Sequence, residues 1–153
     1  MQTSPLDYIL VIDEMPPVSL GLQVVFRTIN QSVSIEHTDS IFTALSSKSF
    51  QDKVFDLIII GSQPGNTPES LRQSVEGAKE RFGKARIMLY TATYDHYIIE
   101  KMEELGIDAY IHKYEDIDEI RYAYTRLSAG ERYISGIFHT LYFEYCLDVE
   151  KSR

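Results

Sequence analysis

The 153-residue chain has the length of one domain, enough to bury roughly 70% of the surface its unfolded chain would expose. Its 44% apolar and 25% charged composition is that of a globular protein, and no apolar run approaches the ~18 residues a membrane-spanning helix needs. A net charge of -8 argues against broad contact with nucleic acid, which needs clustered Lys and Arg; the nearest cluster, Arg72, Lys79, Arg81, Lys84 and Arg86, reads as a solvated face. The N-terminal MQTSPLDYILVIDEMPP lacks a basic start, and Asp13 and Glu14 interrupt its apolar stretch, so no secretory signal is expected and the protein is expected in the cytoplasm. The single cysteine, Cys146, has no partner for an internal disulfide and no companion at metal-site spacing; its apolar surroundings predict a packing role.

In chain order, strand-like runs occur at Tyr8 to Ile12, Val33 to His37, Phe55 to Ile60, Ala85 to Thr91 and Asp108 to His112. Helical spacing fills the gaps, over Pro17 to Asn30, Ser40 to Phe50, Pro68 to Phe82, His96 to Leu105 and Asp116 to Ala129. Runs such as LIII are apolar on both faces, as suits a parallel sheet covered on each side by helices. The expected fold is therefore α/β, a doubly wound five-stranded parallel sheet of (βα)5 order. Asp39 and Asp95 are expected to cap helix N-termini, and Gly106 a helix C-terminus. Residues 1–135 form this domain. Residues 136–153 form a helical extension or the start of a linker, with Ile137, Phe138, Leu141, Tyr142 and Tyr145 on one apolar face.

Ligands of open parallel sheets collect outside the carboxyl ends of the strands, near the point where strand order reverses. Asp13 and Glu14 end the first strand, Gly61 the third, Thr91 and Ala92 the fourth, and Lys113 the fifth. In this order and spacing, ILVIDEMPP, MLYTAT and AYIHK resemble the receiver domain of two-component response regulators (CheY-like), over about Tyr8 to Ser135. The ending LSAGERYIS resembles the NarL/LuxR branch, whose receivers commonly precede a linker and a helix-turn-helix domain.

The resemblance implies that Asp13 and Glu14 match the acidic pair that holds magnesium. Thr91 matches the hydroxyl residue that follows phosphorylation, Lys113 the phosphate-contacting lysine, and Tyr110 the aromatic switch. The phosphoacceptor aspartate has no counterpart, because its position is Gly61. Aligning on Pro64 instead puts Ile60 there, and neither choice supplies a carboxylate. Ser62 is the nearest hydroxyl, but no adjacent base activates it. With two carboxylates in place of three, any magnesium site is expected to be weak, and Lys113 is expected to pair with Asp13 or Glu14 as a structural ion pair.

His37, His96, His112 and His139 lie on different elements, in no metal-site spacing. The loop DEMPPVSLG lacks the glycine pattern of a dinucleotide site and the hydroxyls that hold a flavin phosphate. Of the 11 tyrosines all but Tyr8 lie from Tyr90 onward. With Glu100, Glu103 and Glu104 set against Arg121, Arg126 and Arg132, this half is expected to carry a protein contact or a homodimer interface, on the helix over 96–105, the fifth strand, the helix over 116–129 or the C-terminal helix. The expected function is that of a non-enzymatic pseudoreceiver acting through protein contacts and regulating transcription through a DNA-binding domain outside this chain. The alternative is a magnesium-dependent phosphotransfer or phosphatase protein using Asp13 and Glu14.

Overall fold

A computed structural model describes residues 5–62 and 66–152, so Pro64 lies outside the described residues. Six parallel strands, β1 (Tyr8–Ile12), β2 (Ser34–Thr38), β3 (Leu57–Ser62), β4 (Arg86–Thr91), β5 (Ala109–His112) and β6 (Tyr133–Ile134), form one sheet of order β2-β1-β3-β4-β5-β6. The sixth strand corrects the expected five. Two residues are too few for a periodic signal; β6 is fixed by tertiary pairing, with the Tyr133 and Ser135 amides donating to the carbonyls of Asp108 and Tyr110.

Successive strand residues point to opposite faces, and each face is apolar. Ile9, Val11, Leu57, Ile59, Met88 and Ile111 face the helices α1 (Pro16–Ile29) and α6 (Asp118–Ser128), which contribute Leu22, Phe26, Ile120 and Leu127. Leu10, Ile12, Ile58, Ile60, Leu89 and Tyr110 face α2 (Ile41–Ser46), α3 (Pro68–Arg81), α4 (His96–Glu100) and α5 (Met102–Leu105), which contribute Ala44, Val75, Ile98 and Met102. Phe138 of the last helix, α7 (Gly136–Lys151), joins the second cluster.

Local chemistry sets several boundaries. The segment over 40–50 stops being an α-helix at Ser46, because Ser47 accepts a hydrogen bond from the Ser49 amide and starts the short 3₁₀ turn Lys48–Phe50. Ser40, not Asp39, caps α2, accepting from the Thr43 amide at 3.1 Å. The segment over 96–105 is two short helices, broken at Lys101, whose φ of -115° and ψ of 13° leave the helical region. Asp95 caps α4 by accepting from the Tyr97 amide, and Gly106 ends α5 with the left-handed φ of 76° expected of a glycine cap.

The apolar face expected on α7 is only partly buried. Phe138 is fully enclosed, Leu141, Tyr142 and Tyr145 are half-buried, and Ile137 is 40% exposed. Cys146 is exposed, which corrects its expected packing role.

Candidate functional site

Strand order reverses between β1 and β3, and of the polar residues expected at the strand ends Asp13, Thr91 and Lys113 meet near this point, while Glu14 does not. Asp13 follows β1 directly and is 1% exposed, so its carboxylate needs partners. Lys113, carried just beyond β5, places Nζ 2.7 Å from Asp13 Oδ2 and 3.3 Å from the Ser62 carbonyl oxygen. Asp13 Oδ1 accepts from the Met15 amide at 2.8 Å. The Asp13 backbone is fixed as well, its amide donating to the Thr38 carbonyl and its carbonyl accepting from Nε2 of His37 at 2.8 Å. A carbonyl can only accept, so His37 carries its proton on Nε2.

Gly61 is not a turn residue. It lies within β3, paired with Tyr90 of β4, while Ser62 pairs with Thr91. A Cβ built on Gly61 would sit 1.8 Å from Asp13 Oδ2 and 2.7 Å from its Cγ. The Asp13 carboxylate thus fills the volume in which a side chain at position 61 would begin, and glycine is what lets the buried ion pair form there. Ser62 is buried and its hydroxyl donates to Thr91 Oγ1. Thr91 Oγ1 also accepts from the Thr93 amide at 3.1 Å. Among the described residues, no carboxylate or imidazole is bonded to the Ser62 hydroxyl.

Tyr110 lies one strand further along, fully buried. Its hydroxyl donates to the Thr93 carbonyl at 3.0 Å and accepts from the Asp95 amide at 2.9 Å, fastening the ring to the β4–α4 loop. Burial pushes the phenol well above its ordinary pKa. The face of the ring is covered by Phe138, stacked at a centroid distance of 4.1 Å and an interplanar angle of 18°. Tyr90 donates to the Lys113 carbonyl, and its phenol is raised first by burial and then by the charge of Asp13.

Asp13, Gly61, Ser62, Thr91 and Lys113 therefore form one buried cluster, with Tyr110 joined to it through Thr93. Glu14 does not enter the cluster: it is exposed and lines a cleft beside Asp39, Ser40 and Asn66. A magnesium ion does not fit these residues. Asp13 Oδ2 is held by an ammonium group, position 61 offers no oxygen side chain, and the described residues contain no group of three metal-ligating side chains. Three of the four histidines make separate contacts: His37 supports Asp13, His112 packs against Phe138, and His96 stacks on Tyr145.

The charges of the aromatic half pair within the chain, with Arg132 3.9 Å from Glu103, Arg121 paired to Asp118 and Arg126 to Glu131. Two site residues are not visible in the sequence motifs. Ser62 matters as the partner of Thr91, which only the strand register shows. Phe138 matters as the cover of Tyr110; its signal is the helical spacing of the apolar residues in IFHTLYFEY.

The parallel sheet and its helices match the receiver-domain fold of response regulators. No protein-family profile matches the chain, and no curated protein matches it in sequence. Among solved structures it is similar to a LuxR-family two-component response regulator from Aurantimonas sp. SI85-9A1, with a TM-score of 0.71 and 22% identity over 94% of this chain and 99% of that one. It is also similar to the isolated REC domain of RcsB from Salmonella enterica serovar Typhimurium, with a TM-score of 0.71 and 18% identity over 90% of this chain and 99% of that one. RcsB of the same serovar bound to promoter P1flhDC matches with a TM-score of 0.72 and 17% identity over 89% of this chain. The chain spans 66% of that longer protein.

Proposed function

We propose that this chain is an atypical receiver in two-component-type signalling that accepts no phosphoryl group at position 61 and works through protein contacts. The observation that carries this reading is the 1.8 Å approach of Asp13 Oδ2 to the Cβ position of Gly61. An aspartyl phosphate needs a carboxylate nucleophile with room for the incoming group and a cation to neutralise developing charge. Position 61 has no side chain, and Lys113 neutralises Asp13. Among the described residues, no base is bonded to the Ser62 hydroxyl. The magnesium-dependent phosphotransfer reading would have to displace Lys113 from Asp13 and gain a ligand from exposed Glu14, so it is the weaker one.

Incubation with acetyl phosphate and magnesium followed by intact-protein mass spectrometry tests the proposal. The expected result is an unchanged mass; a stoichiometric, acid-stable and base-labile adduct would overturn it.

Contacts with a partner or a second copy are assigned to the aromatic half, where Tyr97, Tyr122 and Phe143 are exposed. A role in transcription is the second part of the reading, supported by the AGERYIS ending and by the promoter-bound RcsB structure. It requires a helix-turn-helix domain encoded after Arg153; a stop codon at that point would refute this part and leave the first intact.

A further inference from the structure

The α7 helix is held mainly at its start. Ser135 is fully buried and its hydroxyl accepts from the His112 amide at 3.1 Å. The amides of Gly136 and Ile137, which open the helix, donate to Glu119 Oε1 at 3.1 Å and Glu115 Oε1 at 2.7 Å. Phe138 then enters an aromatic box of Tyr110 at 4.1 Å, His112 at 5.3 Å and Tyr94 at 5.9 Å between ring centroids. One further ring contact, His96 stacked on Tyr145 at 3.8 Å, holds the middle of the helix, and residues 146–152 are exposed. Leu141 packs on the core and Tyr142 donates to Glu100 Oε2 at 3.5 Å. A helix held by its first turn and a few half-buried side chains opens more readily than the sheet beneath it.

The Phe138 contact falls on the ring whose hydroxyl fixes the β4–α4 loop. A ring stack and then hydrogen bonds lead from α7 to the buried cluster: Phe138 on Tyr110, Tyr110 to Thr93 and Asp95, Thr93 to Thr91, and Thr91 to Ser62. We propose that α7 is a latch on Tyr110. With Phe138 seated, the ring is held inward and the loop is fixed; with α7 lifted, Tyr110 leaves its two loop partners and the edge formed by β5 and α4 is uncovered. Packed interiors move between discrete arrangements and do not deform smoothly, so the two events form one equilibrium. The latch does not depend on whether position 61 is ever modified.

Residue-resolved hydrogen exchange on the full chain tests this, because the Asp95 amide donates to the Tyr110 hydroxyl and reports its position. Amides of residues 139–145 report the latch, and those of Ile58 to Ile60 report the sheet. In Phe138→Ala, exchange at Asp95 and in α7 should accelerate together, by roughly tenfold or more, while the sheet stays protected. Tyr145→Ala and Glu115→Gln, which weaken the stack and the amide clasp without touching the core, should accelerate both sets together by a smaller factor. Faster exchange in α7 with Asp95 as protected as in the parent would overturn the latch, as would no change in either set. If Phe138→Ala loses sheet protection, the two milder variants decide the matter by the same criterion.

Discussion

Asp13 and Lys113 show how a buried charge pair shapes a site without adding much stability. Their side chains are 1% and 4% exposed, and the Coulombic gain at 2.7 Å largely offsets the cost of taking both charges out of water. Removing one partner is different, since it leaves the other charge buried and unpaired. Asp13→Ala is therefore expected to lower the unfolding free energy by about 3–5 kcal/mol. The double variant Asp13→Leu with Lys113→Met should recover most of that loss. Urea unfolding of Asp13→Leu, Lys113→Met and the double variant measures the coupling directly; additive losses would show that the pair does not interact as its geometry requires. At this scale the sequence places Asp13, Thr91 and Lys113 at strand ends and marks Gly61 as the position without a carboxylate. It leaves open whether Asp13 or Glu14 would take the lysine, because that choice depends on which residue turns inward after β1.

Elements differ in how much of their geometry is local. Gly106 is a local case: the apolar spacing before it and the glycine itself announce the end of α5, and the φ of 76° follows from its lack of a Cβ. Gly106→Ala is expected to cost about 1 kcal/mol, read as a lower urea midpoint with an unchanged slope. The Lys79 Cε that a Cβ would meet at 2.5 Å belongs to a flexible chain and can move aside. The same substitution at exposed Gly21, where a Cβ meets nothing within 4 Å, should be neutral or stabilising and serves as the control. By contrast, the break between α4 and α5, the two-residue β6 and the resting place of α7 are set by contacts made across the fold. The half-apolar spacing in α7 shows that some face must be buried. That this face seats Phe138 on Tyr110, and leaves Phe143 and Leu147 exposed, is decided by the sheet edge available to it.

Across the whole molecule, tyrosines tie stability to pH. Burial is the first cause that lifts the phenols of Tyr90, Tyr94, Tyr110 and Tyr133 above the ordinary value of 10.0. A raised acid pKa in the folded state means that the unfolded chain gives up these protons first. Their contribution is complete below about pH 10, where both states are protonated, and is lost as pH rises through the folded-state values. Urea midpoints should therefore fall with increasing steepness above about pH 10. Tyr110→Phe should flatten that fall relative to its own value near neutral pH, since it removes the most deeply buried of the four titrating groups. An equal pH dependence in the variant and the parent would show that Tyr110 does not take part.

What was legible in the sequence, and what was not, divides along the range of the interactions involved. Alternation of apolar strands with helical spacing gives the five main strands and their helices. The LIII run gives a sheet covered on both faces, and the Asp95 and Gly106 caps give element ends, because each depends on residues within a few positions. The motifs ILVIDEMPP, MLYTAT and AYIHK place Asp13, Thr91 and Lys113 at strand ends. Other features join residues far apart in the chain and follow from register: the Asp13–Lys113 pair, the Ser62–Thr91 bond and the seat of Phe138 on Tyr110. The meaning of Gly61 lies between the two. Its identity shows that position 61 carries no side chain, but only the parallel pairing that sets β3 beside the end of β1 reveals that the Asp13 carboxylate stands where one would begin.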